Sequence, residues 1–385
     1  MENIPIGERV ITNARIVMDN HVLSGTLQIR NGVIIDIAGG AYQGGAAEDW
    51  DDDYLLPGLV ELHTDNLERH ISPRPGVAWP TSAAILAHDN EITGAGITTV
   101  LDALRLGDMD EDKGITDRAC DIAATIDHMS DAGKLKADHL LHLRCEVSCD
   151  NTVNLLHQFR GIKILRLISL MDHTPGQRQF ANLDKYREYY SAKLGLSRQG
   201  IDAFMAHAKA AQVRNSARHR TEAVRLANSW GVPLASHDDA TAAHVMESAA
   251  DNVVLAEFPT TIEAARECQR RDIQVLAGAP NVLRGKYHSG NVSALALAQA
   301  GCLDILSSDY VPYSLLQAPF ILSRLVDGYD LPSAVATVSR NPAVAIGLAD
   351  RGCIAPGYRA DLVRVHVDGD IVSARAVFRS GQQIG

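Results

Sequence analysis

His63 and Asp65 stand two residues apart in "LPGLVELHTD", where an apolar run turns polar. On a strand, residues i and i+2 point to the same side, so this imidazole and this carboxylate face one place. Ligand-type residues end other apolar runs too. Glu146 follows "HLLHLRC", His173 lies in "MDHTPGQ" just after "IKILRLISL", His237 closes "GVPLASH", and Asp309 follows "CLDILSS". Imidazole nitrogens and carboxylate oxygens in this mixture suit a borderline divalent ion: zinc, or manganese or iron. The set is large enough for one ion or for two sharing a bridging carboxylate. Such a site brings the pKa of a bound water to ~7 and makes a nucleophile at neutral pH. Asp309 alone could be a helix cap. Its position, at the end of the last apolar run, singles it out.

These groups share one rim only if the runs are parallel strands of a closed sheet. The runs are "LPGLVELH", "GITTVLDA", "HLLHLRCEV", "IKILRLISL", "GVPLASH", "NVVLAEF", "IQVLAGA" and "CLDILSSD". Stretches with helical period, such as "TEAVRLANSW" and "TIEAARECQRRD", separate most of them. Near-continuous apolar strands alternating with helices predict an α/β fold, a (β/α)8 TIM-type barrel that carries its chemistry at the C-terminal strand ends. Residues 9–37 read instead as alternating strands with turns at Asp19-Asn20 and Asn31-Gly32. The C-terminal "YRADLVRVHVDGDIVSARAVFRSGQQIG" alternates likewise. The expected organisation is a small β-sandwich domain from residues 1–54 and 350–385 beside a barrel of residues 55–349. A helical insertion is expected near 182–228.

The chain has 385 residues, 46% hydrophobic and 22% charged, and a formal net charge of −11, which argues against general affinity for nucleic acid or membrane surfaces. The six cysteines are scattered and lack the paired spacing of a zinc site. No stretch approaches the ~20 apolar residues of a membrane span, and the N-terminus lacks a secretory pattern. A cytoplasmic protein is expected.

"LPGLVELHTD" resembles the first-strand signature of the amidohydrolase superfamily, Pro-Gly-x-x-Asp-x-His-x-His. "NPAVAIGLADRGCIAPGYRADLV" resembles that superfamily's return from barrel to β domain. More narrowly, "ELHTDNLERHISPRPGVAWP", "HDNEITGAGITTVLDA", "SLMDHTPGQRQF" and "SHDDAT" are together similar to the PhnM-type diphosphatases of phosphonate catabolism. Two positions depart from the wider superfamily: Glu61 stands where Asp is usual, and Asp65 where the second His is usual. A harder, anionic ligand shifts preference from zinc towards manganese or magnesium.

The resemblance implies hydrolysis of α-D-ribose 1-methylphosphonate 5-triphosphate, or a 1-alkylphosphonate analogue, to the 5-monophosphate and pyrophosphate. It implies divalent ions held by His63, Asp65, Glu146, His173, His237 and Asp309, with Asp309 also accepting a proton from the attacking water. A homodimer is a family-level expectation. A phosphorylated substrate needs cations and donors near this rim. Arg74, Gln177, Arg178, Arg284, Lys286 and His288 are the candidates by position. The alternatives are another amidohydrolase, such as an N-acetyl-sugar-phosphate deacetylase, and a non-catalytic scaffold of the same fold.

Overall fold

The computed structural model describes residues 7–74, 76–107, 118–180, 183–285 and 291–385. The chain opens with β1 (Glu8–Val17), β2 (Val22–Arg30), β3 (Val33–Gly39), β4 (Glu48–Asp49) and β5 (Tyr54–Pro57). The barrel strands follow: β6 (Leu59–Thr64), β7 (Ile97–Leu106), β8 (Asp138–Glu146), β9 (Leu165–Met171), β10 (Leu234–His237), β11 (Val253–Glu257), β12 (Gln274–Gly278) and β13 (Ile305–Ser307). The chain ends with β14 (Leu362–Asp368), β15 (Ile371–Arg379) and β16 (Gln382–Gln383).

Every one of the eight apolar runs is a barrel strand. β6 to β13 pair in chain order, all parallel. A parallel bridge from Thr64 to Asp309 brings the last strand back to the first. Alternation along the strands splits the apolar residues between two environments. Val60, Leu62, Leu101, Leu167, Ala235, Leu255, Leu276 and Ile305 form one buried cluster inside the barrel, with at least one contribution from nearly every strand. Leu104, Leu141, Leu143 and Ile168 belong to the larger core between the barrel wall and its helices. The fold is therefore a (β/α)8 barrel whose lumen is plugged by hydrocarbon below the rim.

The terminal strands form one sheet in the order β16-β15-β14-β5-β1-β2-β3, with β4 paired to β1. It is a single hydrogen-bonded sheet, yet it has an interior. Leu27 and Ile29 from β2, Ile34 from β3 and Phe378 from β15 share one buried cluster with Trp50. Strands far apart in the sheet order thus meet over a common core.

Two helices bear on the rim. α1 (Asn66–Ile71) begins immediately after Asp65, and α2 (Thr81–Gly94) packs against the outside of β7. Between residues 183 and 230 lie the helices Leu183–Leu194 and Arg198–Trp230. The second starts on a Ser197 side-chain cap and stops at Gly231, whose φ of 67° closes the last turn.

Candidate metal centre

β8 shows how the sequence builds the site. Its register sets Leu140, His142 and Arg144 beside Leu101, Ala103 and Arg105 of β7. Leu140 and Leu101 pack with the apolar plug. The period of two then carries His142, Arg144 and Glu146 upward along the same inner face. One layer of plug is followed directly by layers of ionisable groups.

Two clusters of ligand-type atoms form there. In the first, His63, His142 and Glu257 are all buried, and His63 Nδ1 donates to Glu257 Oε1 at 2.8 Å. The second joins His173, His237 and Asp238. In it, His237 Nδ1 lies 2.9 Å from Asp238 Oδ2, and His173 Nε2 lies 3.6 Å from the same oxygen. Glu146 Oε2 accepts from His173 Nδ1 at 2.6 Å. The clusters adjoin: ring centroids of His63 and His237 are 5.5 Å apart, and those of His237 and His173 are 5.4 Å apart.

The ends of β6 and β13 are fastened from below. Glu61 accepts from the backbone N–H of His63 at 2.7 Å and of Ser308 at 2.6 Å. The carbonyl of Asp309 accepts from the Asp65 N–H at 2.9 Å and from the Thr64 hydroxyl at 2.8 Å. Asp238, Phe258 and Asp309, each following a barrel strand, have φ of 57°, 53° and 54°. Strained backbone at three rim positions is what a site that over-determines its side chains produces.

Burial sets the charges. It pushes Glu61 up to about 7, and it pushes Asp309 up to about 7 with help from the Asp65 charge. Burial pulls His63 and His142 down to about 3, leaving both neutral; the His142 Nδ1 donates to the Leu62 carbonyl at 3.1 Å and its Nε2 faces the Ser169 hydroxyl at 2.9 Å. For His173 burial acts downward too, but the Glu146 and Asp238 carboxylates outweigh it and hold the ring up at about 9. Asp238 is held well below the usual carboxylate range, because His237 and His173 outweigh its burial.

Some buried atoms have no partner among the described residues: His237 Nε2, Asp238 Oδ1, Glu257 Oε2 and Arg144 Nε. Unsatisfied buried polar atoms are rare because each costs about 1–3 kcal/mol. Here an imidazole nitrogen and two carboxylate oxygens are left over within the two clusters. That is the donor set of a divalent cation, so these residues fit a metal.

A third group, His88, Asp102 and His139, lies outside the barrel wall beneath α2. His88 Nε2 and His139 Nδ1 each sit 2.8 Å from an Asp102 oxygen, and His139 Nε2 is 3.1 Å from Asp89. Its members are satisfied by one another, the pattern of a structural network rather than of ion ligands.

Of the residues expected at the rim, His63, Glu146, His173, His237 and Asp309 come together. Asp65 is at the rim, but its carboxylate is turned to the Arg144 guanidinium and it belongs to neither ligand cluster. Arg178 is buried and its guanidinium is held by Asp239 and by Glu247 at 3.2 Å. Gln177 is half-buried beside it, while Arg74 and Arg284 are exposed. Arg284 reaches the Tyr310 hydroxyl at 3.5 Å. Lys286 and His288 lie outside the described residues. Glu257, His142 and Asp238 join the clusters without having been singled out by the sequence reading, although Asp238 stands in "SHDDAT". Glu257 carried a readable signal, a lone carboxylate closing the apolar run "NVVLAEF".

Solved structures share this architecture. A 5-methylcytosine deaminase from Klebsiella pneumoniae matches at TM-score 0.63 with 15% identity, covering 97% of each chain. An N-acetyl-D-glucosamine-6-phosphate deacetylase from Mycobacterium smegmatis matches at TM-score 0.59 with 15% identity, covering 98% of this chain and 100% of that one. Among curated proteins, the α-D-ribose 1-methylphosphonate 5-triphosphate diphosphatase of Escherichia coli is 43% identical over 376 residues, 97% of this chain and 100% of the relative. The sequence model of the amidohydrolase family matches residues 81–378. The chain belongs to the amidohydrolase family.

Proposed function

We propose that this chain hydrolyses α-D-ribose 1-methylphosphonate 5-triphosphate, or a 1-alkylphosphonate analogue, to the 5-monophosphate and pyrophosphate. The observation that carries the reading is the 43% identity to the Escherichia coli diphosphatase over 97% of the chain. The rim chemistry supports it. Asp65, Glu146, Asp238, Glu257 and Asp309 crowd one mouth, so a polyphosphate can approach only if cations offset them.

The ligand set we favour is His63, His142 and Glu257 for one ion and Glu146, His173, His237 and Asp238 for a second. Zinc suits this donor set best, with manganese, iron or magnesium as alternatives. A bound divalent ion would polarise the phosphoryl group and acidify a water. The chain's own residues do the rest. Water oxygen bonds to the α-phosphorus, the bond to the bridging oxygen breaks, and pyrophosphate leaves with the electron pair. The Asp309 carboxylate takes the water's proton and returns it to the leaving group. Its main-chain carbonyl accepts from Thr64 and Asp65, which fixes the end of the last strand against the end of the first.

Metal-loaded protein should release pyrophosphate from ribose 5-triphosphate bearing the 1-phosphonate, measured by a coupled pyrophosphate assay. No pyrophosphate from substrates with or without the phosphonate would defeat the proposal. Acetate released from an N-acetyl-sugar phosphate would replace it with the deacetylase reading.

A further inference from the structure

Arg144 is a buried cation in the middle of the rim groups, two residues from His142 and two from Glu146 on the same inner face of β8. Its cross-strand register partner on β7 is Arg105. Two like charges side by side in a sheet repel, and a buried guanidinium is costly unless it is fully hydrogen-bonded. Arg144 Nη1 is hydrogen-bonded to Asp65. Its Nε is buried and has no partner among the described residues. One end of the guanidinium is therefore anchored on Asp65, while its Nε is left without a partner between the positions of His142 and Glu146 on the same face of the strand.

A guanidinium fork matches two oxygens of a phosphoryl group, and an anchored, water-excluded fork binds them with little ordering cost. Among the described residues, the arginines expected by position do not offer this: Arg178 is already held by Asp239 and Glu247, and Arg74 and Arg284 are exposed. We propose that Arg144 binds the reacting phosphoryl group of the substrate through its Nε edge, with Asp65 as the positioning residue that aims the guanidinium. This rests on the diphosphatase reading for the identity of the substrate, though not for the anion chemistry. It also gives the carboxylate at position 65 a task other than holding an ion.

The test uses metal-loaded protein and two variants, Arg144→Gln and Arg144→Lys. Titration calorimetry with inorganic phosphate reads anion binding without turnover, and metal analysis reads the ligand set. Wild type should bind phosphate. Arg144→Gln should weaken that binding about tenfold or more at unchanged metal content, and Arg144→Lys by less, since charge remains while the fork is lost. With the triphosphate substrate, kcat/KM should fall about 100-fold in Arg144→Gln, mostly through kcat, because the contact is to the reacting group. Phosphate binding unchanged in Arg144→Gln, or absent from wild type, overturns the proposal. So does loss of metal or of fold in both variants, which would make the guanidinium structural. If wild type releases no pyrophosphate while phosphate binding still depends on Arg144, the diphosphatase reading fails and the anion site stands.

Discussion

Glu257 holds His63 at 2.8 Å and keeps a second carboxylate oxygen buried without a partner among the described residues. If that oxygen meets an ion, Glu257→Gln should lower metal content towards one ion fewer per chain, read by elemental analysis, and reduce turnover with it. Normal metal stoichiometry in this variant would remove Glu257 from the ligand set. Asp309 makes the opposite prediction. Asp309→Asn should retain metal and lower kcat by about 10²–10⁴-fold, the usual weight of a general base. Full turnover would take Asp309 out of the chemistry. At this scale the sequence was legible where chemistry closes a strand. His63, Glu146 and His237 each end an apolar run, and Asp309 follows one. It was opaque where chemistry sits inside a strand. His142 and Arg144 read as polar interruptions of "HLLHLRCEV" until the inner face is known. Asp238 lies within "SHDDAT", but the left-handed backbone that turns it into the cluster is not written in that motif.

Among the elements, α2 does more than cover β7. Ile85 and Ile92 pack it into the core, while His88 and Asp89 bury polar groups against the barrel wall. His88 Nδ1 accepts from the Asn66 side chain at 2.9 Å, and Asn66 opens α1 directly after Asp65. The Asp65 backbone is thereby tied to α2. The charged groups around His139 are Asp102 on β7 and Asp89 on α2, with His88 beside them. Burial opposes charge on His139, but the two carboxylates outweigh it and raise the ring to about 9. The sign follows from linkage. A group raised in the folded state stabilises fully below its ordinary value near 6.5 and loses that contribution as pH rises through about 9. Urea unfolding should show stability falling between neutral pH and about 9, on the order of a few kcal/mol. His139→Gln should flatten that slope, and an unchanged slope would assign the loss to other groups. The helix and both strands were legible from periodicity. The network was not, because its members come from three elements and each alone reads as an ordinary polar residue.

Across the whole molecule, Asp138 at the start of β8 gathers cations from the far end of the chain. Arg351 and Arg359 each lie 2.7 Å from it and Arg379 of β15 lies 3.2 Å away. One partly buried carboxylate thus fastens the barrel to the terminal sheet. Arg351 keeps Asp350 and Arg359 keeps Asp361 when this charge is removed, so Asp138→Asn should lower stability by only about 1 kcal/mol, with kcat/KM unchanged in the folded protein. A urea midpoint equal to wild type would make this fastening incidental. Both β regions could be read from alternation, whereas an ion cluster spanning more than 200 residues of sequence leaves no local trace. The hydrocarbon layer formed by Val60, Leu62, Leu101, Leu167, Ala235, Leu255, Leu276 and Ile305 makes the barrel a vessel with one door. Whatever enters from the rim must go out by the rim. On the proposed reaction, both products queue at a single exit. Added pyrophosphate should therefore slow turnover by competing with substrate for the doorway, raising apparent KM while kcat holds.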